Sequence, residues 1–244
     1  MGRNHTRRRE LLRTTTAIAT ACLSVLALLS ACSSDTGPRS AAAQPTVVII
    51  GDSLSTGHGT SPDEAWPKLV ENDPGFQQLQ ATIVNAARDG SGYVSVGEDG
   101  STFGSQVDTA VTDETRLVLF FGSENDMGTA AGETEAAATR AFASVKSRAP
   151  QADIVVVGPP SYTSTPEAER LDIRDQDKAA ALKAGAHFVD PIDLGWIMDD
   201  AAELIGPDGD HPSAAGQQYL QAKMEALIGP RLQQASTGNN QLTG

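Results

Sequence analysis

The segment Thr46-Val-Val-Ile-Ile-Gly-Asp-Ser-Leu-Ser55 constrains this chain more than any other. Val47 to Ile50 form a short, unbroken run of β-branched residues, the pattern of a strand buried on both faces, as in parallel sheets. The run stops at Gly51-Asp52-Ser53, where a glycine permits a sharp turn and a hydroxyl arrives at the strand's carboxyl end. In open α/β sheets ligands bind at that end. Ser53 is therefore the candidate nucleophile, and the remaining sequence is read for groups that would activate it.

The first residues read as an export address. Arg3, Arg7, Arg8, Arg9 and Arg13 form a basic start, followed by an apolar run from about Ala17 to Leu29 that is too short for a membrane span. Leu29-Ser-Ala-Cys32 resembles a bacterial lipobox, which implies cleavage before Cys32, lipidation of its thiol and tethering at the extracytoplasmic face of the membrane. The expected division is a signal over 1–31, a Ser/Ala/Pro-rich tether over 32–45, one domain over 46–234 and a disordered tail over 235–244. The signal holds five of the 18 basic residues and one of the 31 acidic ones. Residues 32–244 thus carry 13 against 30, a net charge of −17 that disfavours nucleic acid as a partner. The other cysteine, Cys22, falls in the signal, so the domain is expected to hold neither a disulfide nor a thiolate metal site.

Further strands are predicted at Thr82–Val84, Leu117–Phe121, Ile154–Val157 and His187–Val189. Helices are predicted from a cap at Ser61-Pro62 through Val70, over about 133–148 and 166–184, and from about Ser213 to Leu232. This alternation specifies βαβ units and a five-stranded parallel sheet covered on both faces. Glycine-marked polar turns fall at strand carboxyl ends and should line one rim.

A serine hydroxyl needs a positioned base, and the base needs a partner that fixes its tautomer. Three histidines follow the signal. His211 lies in Asp208-x-x-His211, a spacing that lets a carboxylate reach the ring of the same loop, whereas Asp210 is expected to point elsewhere. His58 borders the nucleophile turn but reads more naturally as a solvated or capping residue, and His187 as packing or surface. Acyl transfer also needs donors for a developing oxyanion. The backbone N–H groups of Ser53 and Gly90 and the Asn125 amide suit that need, although a glycine and an Asn-Asp pair are also ordinary turn residues.

Gly51-Asp52-Ser53-Leu54, Asn85 to Gly90, the Gly-Asn-Asp block around Asn125 and Asp208-x-x-His211-Pro212 follow the order of the motif blocks of the SGNH (GDSL-type) hydrolases, which this sequence resembles over 46 to about 225. The resemblance implies a flavodoxin-like three-layer α/β/α sandwich. It also implies Ser53 as nucleophile, His211 as base, Asp208 as its orienting acid, and Gly90 and Asn125 as oxyanion donors. One departure stands out. The third block usually reads Gly-x-Asn-Asp, and here Glu124 makes it Gly122-Ser-Glu-Asn-Asp126. Glu124 either bulges from the loop and shapes the pocket or is inert.

The expected activity is serine esterase chemistry on O-acyl esters of carbohydrate, glycolipid or lipid in the cell envelope. Neither a metal nor an organic cofactor is expected, and the chain is read as a monomer. The alternatives are an acyltransferase of the same type and a non-catalytic glycan- or lipid-binding lipoprotein. Of the few aromatics, Trp66, Tyr93, Phe103, Tyr162 and Trp196 either fill the core or form an acyl slot, and the core suits most of them.

Overall fold

The structure is a computed structural model that describes residues 44–122 and 124–241, with side chains to 234. The expected export signal, Cys32 and most of the tether lie outside the described residues. Five strands form one sheet: β1 (Thr46–Ile50), β2 (Thr82–Asn85), β3 (Thr115–Phe121), β4 (Asp153–Val157) and β5 (His187–Val189). Their order is β2-β1-β3-β4-β5 and every pairing is parallel. This is the flavodoxin-like doubly wound order, whose direction of winding reverses between β1 and β3.

The continuous apolar runs of the central strands are explained by helices on both faces. Val47, Ile49, Leu117, Leu119 and Phe121 face one layer, made of α2 (Trp66–Asn72), α3 (Pro74–Gln77) and part of α8 (Ala214–Gln241). Trp66, Val70, Leu220, Met224 and Ile228 supply its buried side chains. Val48, Ile50, Val118, Phe120 and Val156 face the other layer, of α4 (Phe103–Ala110), α5 (Glu133–Arg148) and α6 (Ala168–Ala184). There Ala137, Ala138, Ala141, Ala180 and Ala181 let helices approach closely around Phe103, Phe120 and Phe142. Two short helices, α1 (Ser53–Thr56) and α7 (Ala201–Leu204), complete the set.

Three boundaries differ from the sequence expectation. The helix expected from Ser61 starts at Trp66, because Ser61 Oγ donates to Glu64 Oε2 at 3.0 Å and its carbonyl accepts Glu64 N–H at 3.0 Å, closing a turn in place of a cap. Helix α4 falls in a stretch where the sequence predicted no element. Its capping box pairs Thr102 with Ser105, a combination lacking the Glu or Gln that usually marks one. Helix α8 continues through Gln241, although a disordered tail was expected from 235. Beyond Pro230 the sequence has no further proline, and Gln233, Gln234 and Ala235 favour helix. No helix among the described residues is long and apolar enough to cross a membrane.

Candidate active site

The winding reversal between β1 and β3 opens a crevice at their carboxyl ends, where turns from distant parts of the sequence converge. Asp52, fully buried, caps α1 by accepting the Leu54 N–H at 2.9 Å, which sets Ser53 as the first residue of that helix. Gln106 on α4 holds the Gly51 peptide from both sides, accepting its N–H at 3.0 Å and donating to its carbonyl at 2.9 Å. Ser91 Oγ donates to the same carbonyl at 3.0 Å. A Cβ at Gly51 would lie 2.9 Å from Ser55 Oγ, so this turn has no room for a side chain.

The loop after β2 is shaped by one carboxylate. Asp126 accepts the backbone N–H groups of Tyr93, Val94 and Ser95 at 2.7, 3.1 and 2.8 Å. A Cβ at Gly92 would come 2.3 Å from Asp126 Oδ1, which explains the glycine there. Gly90 precedes it at φ +72°, in the left-handed region that favours glycine.

Ser53, Leu54, Asn125 and His211 line one cavity of about 220 Å³, and Gly90 and Glu124 border it with them. Among the described residues, the backbone N–H groups of Ser53 and Gly90 meet no protein acceptor. The Asn125 amide reaches the cavity while donating to the Ser91 carbonyl at 3.0 Å and to Asp52 Oδ2 at 3.3 Å.

His211 is delivered by the loop before α8. Its Nδ1 lies 2.9 Å from Asp208 Oδ2, while Asp208 Oδ1 accepts the N–H groups of Asp210 and His211, each at 3.1 Å. Those two backbone donors, followed by the His211 ring, hold the Asp208 carboxyl well below the usual carboxylate range. Asp210 does not point away, as the sequence suggested. It lines the cavity, with Oδ2 4.0 Å from His211 Nε2, because Gly209 at φ +78° turns the backbone between the two aspartates.

His58 is also on the cavity. Its Nδ1 sits 2.6 Å from Asp89 Oδ2, and its ring lies 4.2 Å from the His211 ring at 40°. His187, at the start of β5, does not line this cavity. Of the aromatics singled out in the sequence, Trp66, Tyr93, Phe103 and Trp196 are buried in the core, whereas Tyr162 lines the cavity. Burial, followed by the nearby carboxylates of Glu124, Asp210 and Asp52, pushes the Tyr162 phenol far up and keeps it protonated. Sequence reasoning missed Gln106 and Arg170. Each acts on residues far away in the chain, and no local motif marks them.

The arrangement offers a hydroxyl, an oriented imidazole and unengaged N–H donors on one small cavity, which is equipment for acyl transfer. Comparison with known proteins points the same way. The GDSL-like Lipase/Acylhydrolase family matches residues 49–219. The GDSL lipase Rv0518 of Mycobacterium tuberculosis (strain ATCC 25618 / H37Rv) is 38% identical over 196 residues, covering 76% of this chain and 82% of that protein. Among solved structures, the psychrotrophic esterase EstA from Pseudoalteromonas sp. shares 19% identity at a TM-score of 0.60, covering 78% of this chain and 100% of its own. Est24, a carbohydrate acetylesterase from Sinorhizobium meliloti, shares 18% identity at a TM-score of 0.57, covering 76% and 100%. At these identities the two structures bear on the fold, and they share it.

Proposed function

The chain belongs to the GDSL-like lipase/acylhydrolase family and is a carboxylic ester hydrolase of that type, and from this premise we propose that it hydrolyses O-acyl esters through an acyl-enzyme formed on Ser53. Ser53 Oγ attacks the ester carbonyl while His211 Nε2 takes its proton. Asp208, kept ionised at neutral pH, holds Nδ1–H and stabilises the imidazolium. The backbone N–H groups of Ser53 and Gly90 receive the oxyanion. The Asn125 amide joins them by giving up its longer, 3.3 Å bond to Asp52. Collapse of the tetrahedral intermediate expels the alcohol, which takes the proton from His211. Water, deprotonated by the same ring, then releases the acid and restores Ser53.

The observation that carries this reading is the convergence on one cavity of Ser53, two unengaged N–H donors and His211, whose Nδ1 is held by Asp208. Hydrolysis of p-nitrophenyl acetate by purified protein tests it. Ser53→Ala is expected to lower kcat/KM by at least about 10³-fold with the melting curve preserved. A folded Ser53→Ala variant that retains most of the activity rules the mechanism out.

The place of work belongs to the same proposal and rests on sequence alone. Leu29-Ser-Ala-Cys32 after a basic, apolar leader supports a lipid anchor at Cys32 and an extracytoplasmic enzyme acting on envelope esters. Cells fed an alkyne-labelled fatty acid should label the protein, and Cys32→Ser should abolish the label. Labelling that survives in Cys32→Ser counts against the anchor.

A further inference from the structure

The extra residue of the third motif block, Glu124, is held in place by a buried charge. With Asn125 and Asp126 it forms a short 3-10 turn after β3, and its carboxyl lines the cavity. Arg170 on α6 pairs with Glu124 Oε2 through Nη2, donates to the Pro160 carbonyl at 2.9 Å and holds Glu167 at 2.8 Å. The Arg170 side chain is 5% exposed. A guanidinium buried this deeply and satisfied on three sides fixes the carboxyl it holds. Asp210 lines the same cavity, close enough to Glu124 to raise its carboxyl. Tyr162 lines the same wall, with Arg170 Cζ 5.5 Å from its ring centre.

We propose that Glu124 and Asp210 form the subsite for the alcohol half of the substrate and bind the free hydroxyls of a neutral polyol, so that the preferred substrates are esters of sugars or comparable polyols. The inference rests on the serine-esterase reading, because that reading fixes where the alcohol leaves. His211 Nε2 must hand its proton to the departing alcohol oxygen, and Asp210 Oδ2 is 4.0 Å from that nitrogen. The carboxyl pair therefore stands on the leaving-group side.

Three features select a neutral polyol. Carboxylates accept hydrogen bonds through two oxygens each, and bonds to a charged acceptor are the strong ones, so two adjacent carboxyls match a run of O–H donors. Asp89, Glu124 and Asp210 all line the cavity and, among the described residues, no Lys or Arg does, while Arg170, which pairs with Glu124, is also engaged by Glu167. A phosphate-bearing alcohol would meet uncompensated negative charge there. Among the described residues the large apolar side chains on the cavity are those of Leu54 and Tyr162, and the exposed large hydrophobics, Val84, Val96, Leu182 and Leu194, lie elsewhere. Burial, together with Asp210 and against the pull of Arg170, pushes the Glu124 carboxyl up to about 7. Near neutrality the Glu124 carboxyl can therefore both donate to and accept from a hydroxyl.

The test compares mono-O-acetyl glucose with p-nitrophenyl acetate, which delivers the same acyl group from an alcohol without hydroxyls. Full-length protein, Glu124→Gln and Asp210→Asn are assayed on both, with melting curves to confirm folding. The expected result is a fall of about tenfold or more in the ratio of kcat/KM, sugar ester over phenyl ester, in either variant, the loss typical of a hydrogen bond to a charged group. A ratio within about twofold of the unsubstituted protein in both variants overturns the subsite, as does a protein that cleaves the phenyl ester but not the sugar ester. Failure of the underlying reading looks different: Ser53→Ala would then cleave p-nitrophenyl acetate as fast as the unsubstituted protein.

Discussion

His211 and His58 line one cavity with their rings 4.2 Å apart, and each has a carboxylate at its Nδ1, Asp208 for the first and Asp89 for the second, yet the chain builds the two pairs by different routes. In the first, both partners belong to one short loop. Gly206 N–H donates to the His211 carbonyl at 2.7 Å, Ile205 bridges Pro212, and Asp208 accepts two backbone N–H groups of its own loop. In the second, the partners are 31 residues apart. His58 stands between Gly57 and Gly59, both at positive φ, and Asp89 is steadied by the Thr56 hydroxyl at 2.5 Å. His211 exposes 16% of its side chain and His58 50%. A carboxylate at hydrogen-bond distance is common to both histidines, so by itself it does not single out the base. What separates the pairs is how firmly the backbone holds the carboxylate and how far water reaches the ring.

Substitutions can break this distinction. His211→Ala is expected to lower kcat/KM on p-nitrophenyl acetate by about 10³- to 10⁴-fold, the upper part of what general acid–base catalysis contributes. Asp208→Asn should cost about 10²-fold, since the ring remains but loses its charged partner. His58→Ala should cost roughly tenfold or less, on the scale of a single contact of about 1.4 kcal/mol, and His58→Phe should recover much of it by keeping a ring against His211. If His58→Ala proves as damaging as His211→Ala, the assignment of roles within the cavity is wrong.

The same contrast between local and distant explains what could be read in the sequence. The strands were legible because Val47–Ile50, Leu117–Phe121 and Ile154–Val157 are apolar without interruption, which a sheet covered on both faces demands. The Asp208–His211 contact was legible because three residues of one loop span it. Contacts that close over long separations left no trace. Gln106 reaches Gly51 across 55 residues and Arg170 reaches Glu124 across 46. Read alone, each is an ordinary polar residue on a helix. Glu124 was visible as an insertion, but its orientation depends on Arg170, which nothing near it in sequence indicates. Asp210 was misread for a related reason: its direction is set by the positive φ of Gly209, a backbone choice that residue types permit without requiring.

The carboxyls flanking His211 carry the comparison to its smallest measurable effect, because their environments push them in opposite directions. Asp208 is lowered, so its contribution to stability is present above the ordinary carboxylate value and is lost only as pH falls through its folded value, in strong acid. Glu124 is raised from 4.5 to about 7, so between those values the folded state binds more protons than the unfolded chain, and its contribution falls as pH rises through that window. The two windows do not overlap. Glu124→Gln keeps a neutral hydrogen-bonding side chain and removes the titration, so the variant's melting temperature minus that of the unsubstituted protein should rise between pH 5 and pH 8. A rise of about 2–4 °C is expected, roughly what 1 kcal/mol moves a domain of this size. Groups common to both proteins cancel in the difference. A flat difference across that range would mean that Arg170 keeps Glu124 ionised throughout, and the cavity wall would then carry a fixed charge at Glu124 instead of a titrating one.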